Sequence, residues 1–176
     1  PYVRDLGNRL APACSSLVVW DEASAGGTLL HGRNFDFSGV GIWDRAPVVV
    51  FCDPDEGLRY GFVGTRGVDA AHTSFNEAGL CLSAHTRFHR DVAFSGAGSV
   101  DLCHDIICRA ETLDDAVRIA NERPVASTWG LAISSGRERR SISLETTAAG
   151  VWVVEPKPGQ SVMATTNNYQ HPGAAT

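Results

Sequence analysis

Short strand-like runs, rather than long amphipathic ones, dominate the first half of the chain. They are separated by turn-forming segments and cover 17–20, 28–30, 47–51, 58–62, 72–76 and 80–84. β-Branched and aromatic residues are common in these runs, which is typical of strands. The glycines at 26–27 and the Asp/Pro/Gly-rich segment 53–57 have the composition of turns. This half of the chain therefore predicts antiparallel strands joined by short connections.

The pattern becomes helical near Ser99. Apolar residues then recur at the spacing of one helix face up to Ala110. Thr112 and Asp115 resemble a capping box, which predicts the start of a second helix, and Pro124 follows the end of its apolar pattern. We expect the two helices to cover one face of a sheet.

Strand-like runs return at 130–134, 141–144, 151–154 and 161–164. Strands, two consecutive helices and strands again are the order of an α+β protein, in which helices pack on antiparallel sheets. We find no internal repeat, no low-complexity tract and no boundary between domains, so the sequence predicts one domain.

Composition and charge exclude several classes of function. The chain has 176 residues, 43% hydrophobic and 20% charged, which is enough for a core and typical of a globular protein. Its net charge of −5 disfavours nucleic acid as a partner. No apolar run approaches the ~20 residues of a membrane span, and nothing from Pro1 onward resembles a secretory signal. Five cysteines without a CxxC pair argue against a disulfide framework or zinc ribbon and favour a reducing compartment, so the expected location is cytoplasmic.

The candidate chemistry begins at Cys14, which follows the small residue Ala13 and opens the first apolar run. Arg33 and Asp36 end the second predicted strand, so a hairpin would bring thiol, guanidinium and carboxylate towards one end of a sheet. A thiolate beside a cation is the reactive form of cysteine. Because side chains alternate along a strand, Arg33 and Asp36 would point to opposite faces unless the chain bends there. An ordinary ion pair at a strand end is the alternative.

These residues also resemble a known family. Ala-Cys-Ser-Ser at 13–16 followed by His-Gly-Arg-Asn-Phe-Asp-Phe at 31–37 resembles the cysteine N-terminal-nucleophile (Ntn) hydrolases, and is similar to the penicillin acyltransferase family, acid ceramidases and choloylglycine hydrolases. Two further segments match in the same order, Ser-Phe-Asn-Glu-Ala-Gly-Leu at 74–80 and Thr-Thr-Asn at 165–167. The resemblance covers roughly residues 13 to 172. It implies an αββα sandwich, with two antiparallel sheets between helical layers, of which this chain would hold only a part.

The resemblance implies that Cys14 is the nucleophile of an amidase or acyltransferase. Autocatalytic cleavage between Ala13 and Cys14 would free the α-amine, whose reference pKa of ~8 suits a general base near neutral pH. Residues 1–13 would then be the remnant of a pro-segment, or a linker. The catalytic domain would cover 14–176 and be incomplete at its C-terminus.

The resemblance also implies roles for three partners of Cys14. Arg33 would lie near the thiolate and Asp36 would hold the new α-amine. Asn167 would donate its side-chain amide to the oxyanion of the tetrahedral intermediate. No cofactor is implied.

His85 is a departure from the family pattern, because several relatives have an asparagine near this position. Either His85 replaces that oxyanion donor or a backbone N–H does. His85 and His89 are also spaced like a metal pair on a helix, but their segment is predicted to be a strand running into a loop, and we see no third ligand, so no metal is expected. The other four cysteines, at 52, 81, 103 and 108, fit apolar strand or helix patterns and are expected to be structural.

The sequence has two alternatives to an Ntn amidase. A papain-like protease places its cysteine at a helix start, whereas Cys14 begins a strand, which argues against it. A catalytically silent binding or assembly module that keeps the fold stays open. The expected partner is a small-molecule amide or acyl donor, with a second chain completing the fold or a homo-oligomer as further options. The sequence leaves open which acyl group is transferred and whether water or an amine accepts it.

Overall fold

The computed structural model describes residues 13–36, 44–93, 95–126 and 128–175. The expected pro-segment therefore lies outside the described residues, apart from Ala13. The described chain forms β1 (Ala13–Asp21), β2 (Gly27–Asp36), β3 (Pro47–Cys52), β4 (Tyr60–Thr65), β5 (Thr73–Asn76), β6 (Leu80–Thr86), α1 (Ser99–Arg109), α2 (Leu113–Ala120), β7 (Trp129–Ser135), β8 (Arg140–Thr147), β9 (Gly150–Val154) and β10 (Val162–Thr165).

The strands form two antiparallel sheets. A small sheet has the order β10-β1-β2, and a large sheet has the order β3-β4-β5-β6-β7-β8-β9. The large sheet joins neighbours in sequence except where the two helices intervene between β6 and β7. The small sheet instead pairs the first strand with the last, with Ser16 opposite Thr165. This pairing brings the residues after β10 to the beginning of β1.

Both described helices pack on one face of the large sheet, as the apolar pattern predicts. Thr112 caps α2: its Oγ1 accepts from the backbone N–H of Asp115 at 3.1 Å, and the Asp115 carboxylate accepts from the N–H of Thr112 at 3.2 Å. The hydrophobic core fills this helix–sheet layer, with fully buried residues such as Ile106 and Leu131. Apolar burial of this kind is the main force holding the layers together.

The layer between the two sheets is mostly polar. The strands of the large sheet present buried polar side chains to it, namely Ser83, His85, Arg87, Ser134, Ser143 and Glu145. The imidazole of His31 in β2 joins the sheets, because its Nδ1 lies 2.8 Å from Ser134 Oγ and its Nε2 lies 2.8 Å from Ser83 Oγ. A small apolar cluster of Val18, Trp20 and Met163 completes the contact. The Cys14 end of β1 is therefore buried in polar surroundings.

Neither described helix covers the outer face of the small sheet, where Leu17, Leu30 and Val162 are about half exposed. The described residues thus form a helical layer and two sheets, which are three of the four layers of the expected αββα sandwich. Neither helix is long and apolar enough to span a membrane.

Candidate active site

Cys14 and Arg33 meet on the face of the small sheet that is turned towards the large sheet. The β1–β2 pairing places Cys14 opposite Phe35 and Ser16 opposite Arg33. Residues directly opposite each other share a face in an antiparallel pair. The thiol is buried, and Arg33 Nη2 lies 3.8 Å from Cys14 Sγ. The predicted approach of thiol and guanidinium is thus present in the structure.

The guanidinium of Arg33 is held by the neighbouring strands β5 and β6 of the large sheet and by the residue just before β5. Its Nη1 donates to the carbonyl oxygen of His72 and to the hydroxyl of Thr73, and its Nη2 donates to the carbonyl oxygen of Ala84 at 2.5 Å. The ring of Phe35 lies 4.8 Å from the guanidinium carbon. Burial lowers the pKa of Arg33 below its usual value, but an arginine keeps its proton at physiological pH. These contacts give the group that faces Cys14 a fixed position and a permanent charge.

Asn167 approaches Cys14 from the far end of the chain. Its Oδ1 accepts a hydrogen bond from the backbone nitrogen of Cys14 at 2.6 Å, across 153 residues of sequence. Its Nδ2 donates to the carbonyl oxygen of Thr86 at 2.6 Å. A carboxamide nitrogen carries two hydrogens, so the second remains available to another acceptor. Asn167 therefore touches the reactive residue through its oxygen and keeps one N–H to donate.

Asp36 lies at the same end of β2 but on the other face. It is exposed and pairs in register with Ala13, and its Oδ2 accepts from Asn34 Nδ2 at 2.7 Å. Because β2 stays regular up to Asp36, the alternation of side chains separates it from Arg33. With Ala13 still attached to Cys14, the partner of the Cys14 nitrogen is Asn167 and not this carboxylate. The predicted role of Asp36 stays a prediction about the cleaved chain.

His85 is completely buried between the two sheets, and its Nε2 lies 2.9 Å from Ser16 Oγ. Burial, and then the charge of Arg33, lower the pKa of His85 to about 3. His89, the other half of the spacing considered for a metal, instead accepts from the backbone N–H of Asp91 at 3.0 Å. Among the described ranges no three His, Cys, Asp or Glu residues are grouped as a metal site would require.

Two further histidines near Arg33 are also neutral. Burial and the charge of Arg33 lower the pKa of both His31 and His72 to about 4. At neutral pH the positive charge that faces Cys14 is therefore that of Arg33. This permanent positive charge lies 3.8 Å from the sulfur of Cys14.

An apolar cavity of about 270 Å³ opens beside Arg33. It lies between the end of β2 and strands β4 and β5, and its lining includes Phe35, Pro47, Val63, Val68, Ala70 and His72. Clefts of this kind, apolar with a few polar groups at one end, are typical of small-molecule sites. The polar lining residues here are Arg33, His72 and Thr73, and Arg33 is the one that also approaches Cys14.

Sequence reasoning missed Arg87 and Glu145, which form an ion pair buried completely between the sheets. Glu145 also accepts from the backbone nitrogens of Gln170 and His171, three and four residues after Asn167. One signal was available: charged residues at strand positions that alternation places on a buried face. Arg87 lies two residues after His85, and Glu145 lies inside an apolar and hydroxylated run.

Comparisons with known proteins give one relative in sequence and several solved structures of similar fold. No family model matches the sequence. An uncharacterized protein of Archaeoglobus fulgidus is 26% identical over 140 residues, which are 77% of this chain and 23% of that protein. The N-acylethanolamine-hydrolyzing acid amidase ortholog of Caenorhabditis elegans superposes with a TM-score of 0.66 at 16% identity, over 88% of this chain and 70% of that one.

Two bacterial structures are similar over the same region. A mutant of conjugated bile acid hydrolase from Clostridium perfringens gives a TM-score of 0.59 at 16% identity, over 85% of this chain and 52% of its own. Penicillin V acylase from Agrobacterium tumefaciens gives 0.51 at 17% identity, over 85% and 51%. All three solved proteins are cysteine Ntn hydrolases.

The chain has the Ntn-hydrolase fold. It spans 23% of the curated relative and from about half to 70% of the solved structures. This agrees with an Ntn sandwich that is present only in part. The predicted fold class is confirmed, whereas the roles assigned to individual site residues stay predictions.

Proposed function

We propose that this chain carries the nucleophile half of a cysteine Ntn hydrolase, which cleaves or transfers an acyl group at an amide bond through a thioester on Cys14. The observation that carries the proposal is the pairing of Cys14 with two groups from distant parts of the fold. Arg33 Nη2 lies 3.8 Å from its sulfur and Asn167 Oδ1 lies 2.6 Å from its nitrogen. The names of the fold neighbours, an acid amidase, a bile acid hydrolase and a penicillin acylase, support the same class of reaction.

Activation begins with the bond between Ala13 and Cys14. The thiol attacks the carbonyl carbon of Ala13, the C–N bond breaks, and the acyl part moves from nitrogen to sulfur. Water then cleaves this thioester and leaves Cys14 with a free α-amine. That amine is the general base of the mature site, so nucleophile and base belong to one residue.

Acylation uses the same groups on the substrate. The α-amine takes the thiol proton, the sulfur attacks the substrate carbonyl, and the resulting oxyanion accepts the second N–H of Asn167. The ammonium then returns its proton to the departing amine as the C–N bond breaks. The charge of Arg33, 3.8 Å from the sulfur, stabilises the negative charge on the sulfur once the α-amine has taken its proton. Asp36 is assigned to the α-ammonium, which exists only after cleavage. In the final step water, or an acceptor amine, attacks the thioester and restores the thiol.

The cavity beside Arg33 favours an apolar acyl group. Its walls are mainly Phe35, Val63, Val68 and Ala70, and an apolar group gains roughly 25 cal/mol for each Å² removed from water. An acyl group seated there would present its carbonyl carbon towards the Arg33 end and thus towards Cys14. A small molecule with an apolar acyl part and an amide is the substrate class that these contacts support.

An acyl-enzyme trapping experiment tests the proposal. Purified protein is incubated with a library of N-acyl amides, and intact mass is recorded at short times. We expect loss of the segment before Cys14, followed by an added acyl mass on the remaining chain, and both should be absent from Cys14→Ala. Cys103→Ala is the matched control, since that thiol is buried in the helix–sheet core. Acyl mass on the Cys14→Ala variant, or none on the parent from any amide, would overturn the proposal.

A further inference from the structure

The carboxylate of Glu145 makes three hydrogen bonds although it is completely buried. Its Oε1 accepts from the backbone nitrogen of Gln170 at 2.8 Å and its Oε2 accepts from that of His171 at 2.9 Å. The third donor is Nη1 of Arg87. Both side chains of the ion pair are inaccessible to solvent. The charge of the Glu145 carboxylate can persist so far from water because these three donors fill most of its hydrogen-bonding capacity.

Arg87 is itself fitted to this position by its neighbours. A side chain at Gly130 would overlap the guanidinium, so glycine leaves the space that Arg87 occupies. The ring of Tyr169 lies 5.2 Å from the guanidinium carbon, and its hydroxyl donates to the carbonyl oxygen of Thr146 at 2.9 Å. We refer to Arg87, Glu145 and the segment 169–171 together as the clasp.

Two parts of the clasp are close in sequence to Asn167 and to its hydrogen-bond partner. The segment 169–171 begins two residues after Asn167, and Arg87 follows Thr86 directly. Asn167 Nδ2 donates to the carbonyl oxygen of Thr86, and Arg87 is the next residue in the chain. The segment that carries Asn167 is thus held at Thr86 directly, and at Gln170 and His171 through Glu145.

We propose that Glu145, held by Arg87, is a positioning residue that fixes Asn167 against Cys14. This inference rests on the proposed function, because it assigns Glu145 a role through the Asn167 amide and not through any contact with substrate. Asn167 lies beyond the end of β10, where no strand pairing constrains it. Two backbone hydrogen bonds to a rigid buried carboxylate replace that pairing. A displacement of about 1 Å at such a donor costs on the order of 100-fold in rate.

A double-mutant cycle tests the proposal. The acylation rate constant is measured by stopped flow for the parent, Glu145→Gln, Asn167→Ala and the combined variant. We expect Glu145→Gln to slow acylation roughly 10- to 100-fold with little change in KM, because positioning acts on the transition state. In the Asn167→Ala background the same substitution should change the rate less than about twofold, since the group it positions is gone.

Ser143→Ala is the matched control. Ser143 lies two residues before Glu145 on β8, faces the same layer and is equally buried. We expect the parent rate from this variant. A slow Ser143→Ala variant would mean that any disturbance of β8 impairs the site, which would overturn a specific role for Glu145.

Glu145→Gln leaves a buried guanidinium without its counter-ion, and we expect this loss to lower the folding yield by itself. The second variant, Arg87→Met with Glu145→Gln, removes both charges and keeps one acceptor for the segment. It should fold, as judged by circular dichroism, and should lose rate in the presence of Asn167 but not in its absence. Equal losses in both backgrounds would overturn the positioning role.

The outcomes for the clasp and for the enzyme are separable. A parent that acylates, together with variants whose effects simply multiply, would remove the role of Glu145 and leave the proposed function intact. If no amide acylates the parent protein, the proposed function is removed and the positioning role is removed with it.

Discussion

The backbone nitrogen of Cys14 donates to Oδ1 of Asn167 at 2.6 Å, and the side-chain nitrogen of Asn167 is anchored on Thr86. The contact depends on the unusual order of the small sheet, in which the last strand pairs with the first. It joins a residue of the first described strand to one that lies two residues beyond the last described strand. One asparagine thereby links the small sheet, the end of β6 and the proposed nucleophile.

Asn167→Ala is expected to slow acylation by about 100- to 1000-fold, which is the usual loss for one oxyanion donor. Ground-state binding should change far less, because the oxyanion exists only in the transition state and intermediate. Stopped-flow acylation at saturating substrate measures the effect. Asn168→Ala is the control, since that side chain is exposed. Acylation of a folded Asn167→Ala protein at the parent rate would return Asn167 to a purely structural role.

Asp36→Asn tests an assigned residue that does not contact Cys14 in the uncleaved chain. If the carboxylate holds the α-ammonium after cleavage, the variant should lose turnover while its free energy of unfolding changes by less than about 1 kcal/mol, as for other exposed polar pairs. Urea unfolding and a turnover assay are read together. Asn34→Ala, which removes only the observed partner of Asp36, should stay active. Full turnover by folded Asp36→Asn would contradict a catalytic role for Asp36 and leave it only the structural role of its bond to Asn34.

Most strands and both helices follow from local pattern alone. The capping box at Thr112 and Asp115 placed the second helix, and the β-branched run at 47–51 placed β3 within one residue. Alternation also predicted that Arg33 and Asp36 would lie on opposite faces of a regular strand, and they do. These signals are short-range, and the elements they predict are present in the fold because tertiary packing favours the same local structure.

The contacts that build the site are long-range. The sequence predicts them only through the family resemblance, not through any local pattern. Nothing local to Glu145 says that it meets Arg87 or the nitrogens of 170 and 171, which lie 58 and about 25 residues away. Such pairs are set by sheet order and by which buried charge finds donors, and both depend on the complete fold. The bond between Ser16 and His85 is of the same kind.

Three buried histidines predict how stability changes with pH. The pKa of His31 and of His72 is about 4 in the folded chain, and that of His85 is about 3. An unfolded histidine has a pKa of ~6.5, so below that value the unfolded state binds more protons than the folded state. Stability is therefore complete above pH ~6.5 and falls as the pH drops towards 4, by up to about 1.4 kcal/mol per pH unit for each group.

Urea unfolding at pH 7, 6 and 5 measures this slope. His31→Gln removes one titrating group and should make the slope shallower by about one third. Ser134→Ala removes a hydrogen-bond partner of His31 without removing a titrating group, so it should lower stability at every pH and keep the parent slope. Equal slopes for the parent and His31→Gln would contradict the assignment.

The cavity beside Arg33 makes a prediction about substrate size. Ala70 lies in its wall and is half-buried, so Ala70→Phe would place a ring in the space assigned to the acyl group. Amides of large apolar acids should then lose about 10- to 100-fold in kcat/KM, in the range expected when a hydrophobic pocket no longer accommodates its ligand. Acetyl amides should react at nearly the parent rate, because their acyl group does not reach Ala70.

Val162→Phe adds the same ring on the outer face of the small sheet and should affect neither substrate. A uniform loss across acyl sizes would mean that the ring disturbs Arg33 and Cys14 themselves, and no loss at all would place the acyl group elsewhere.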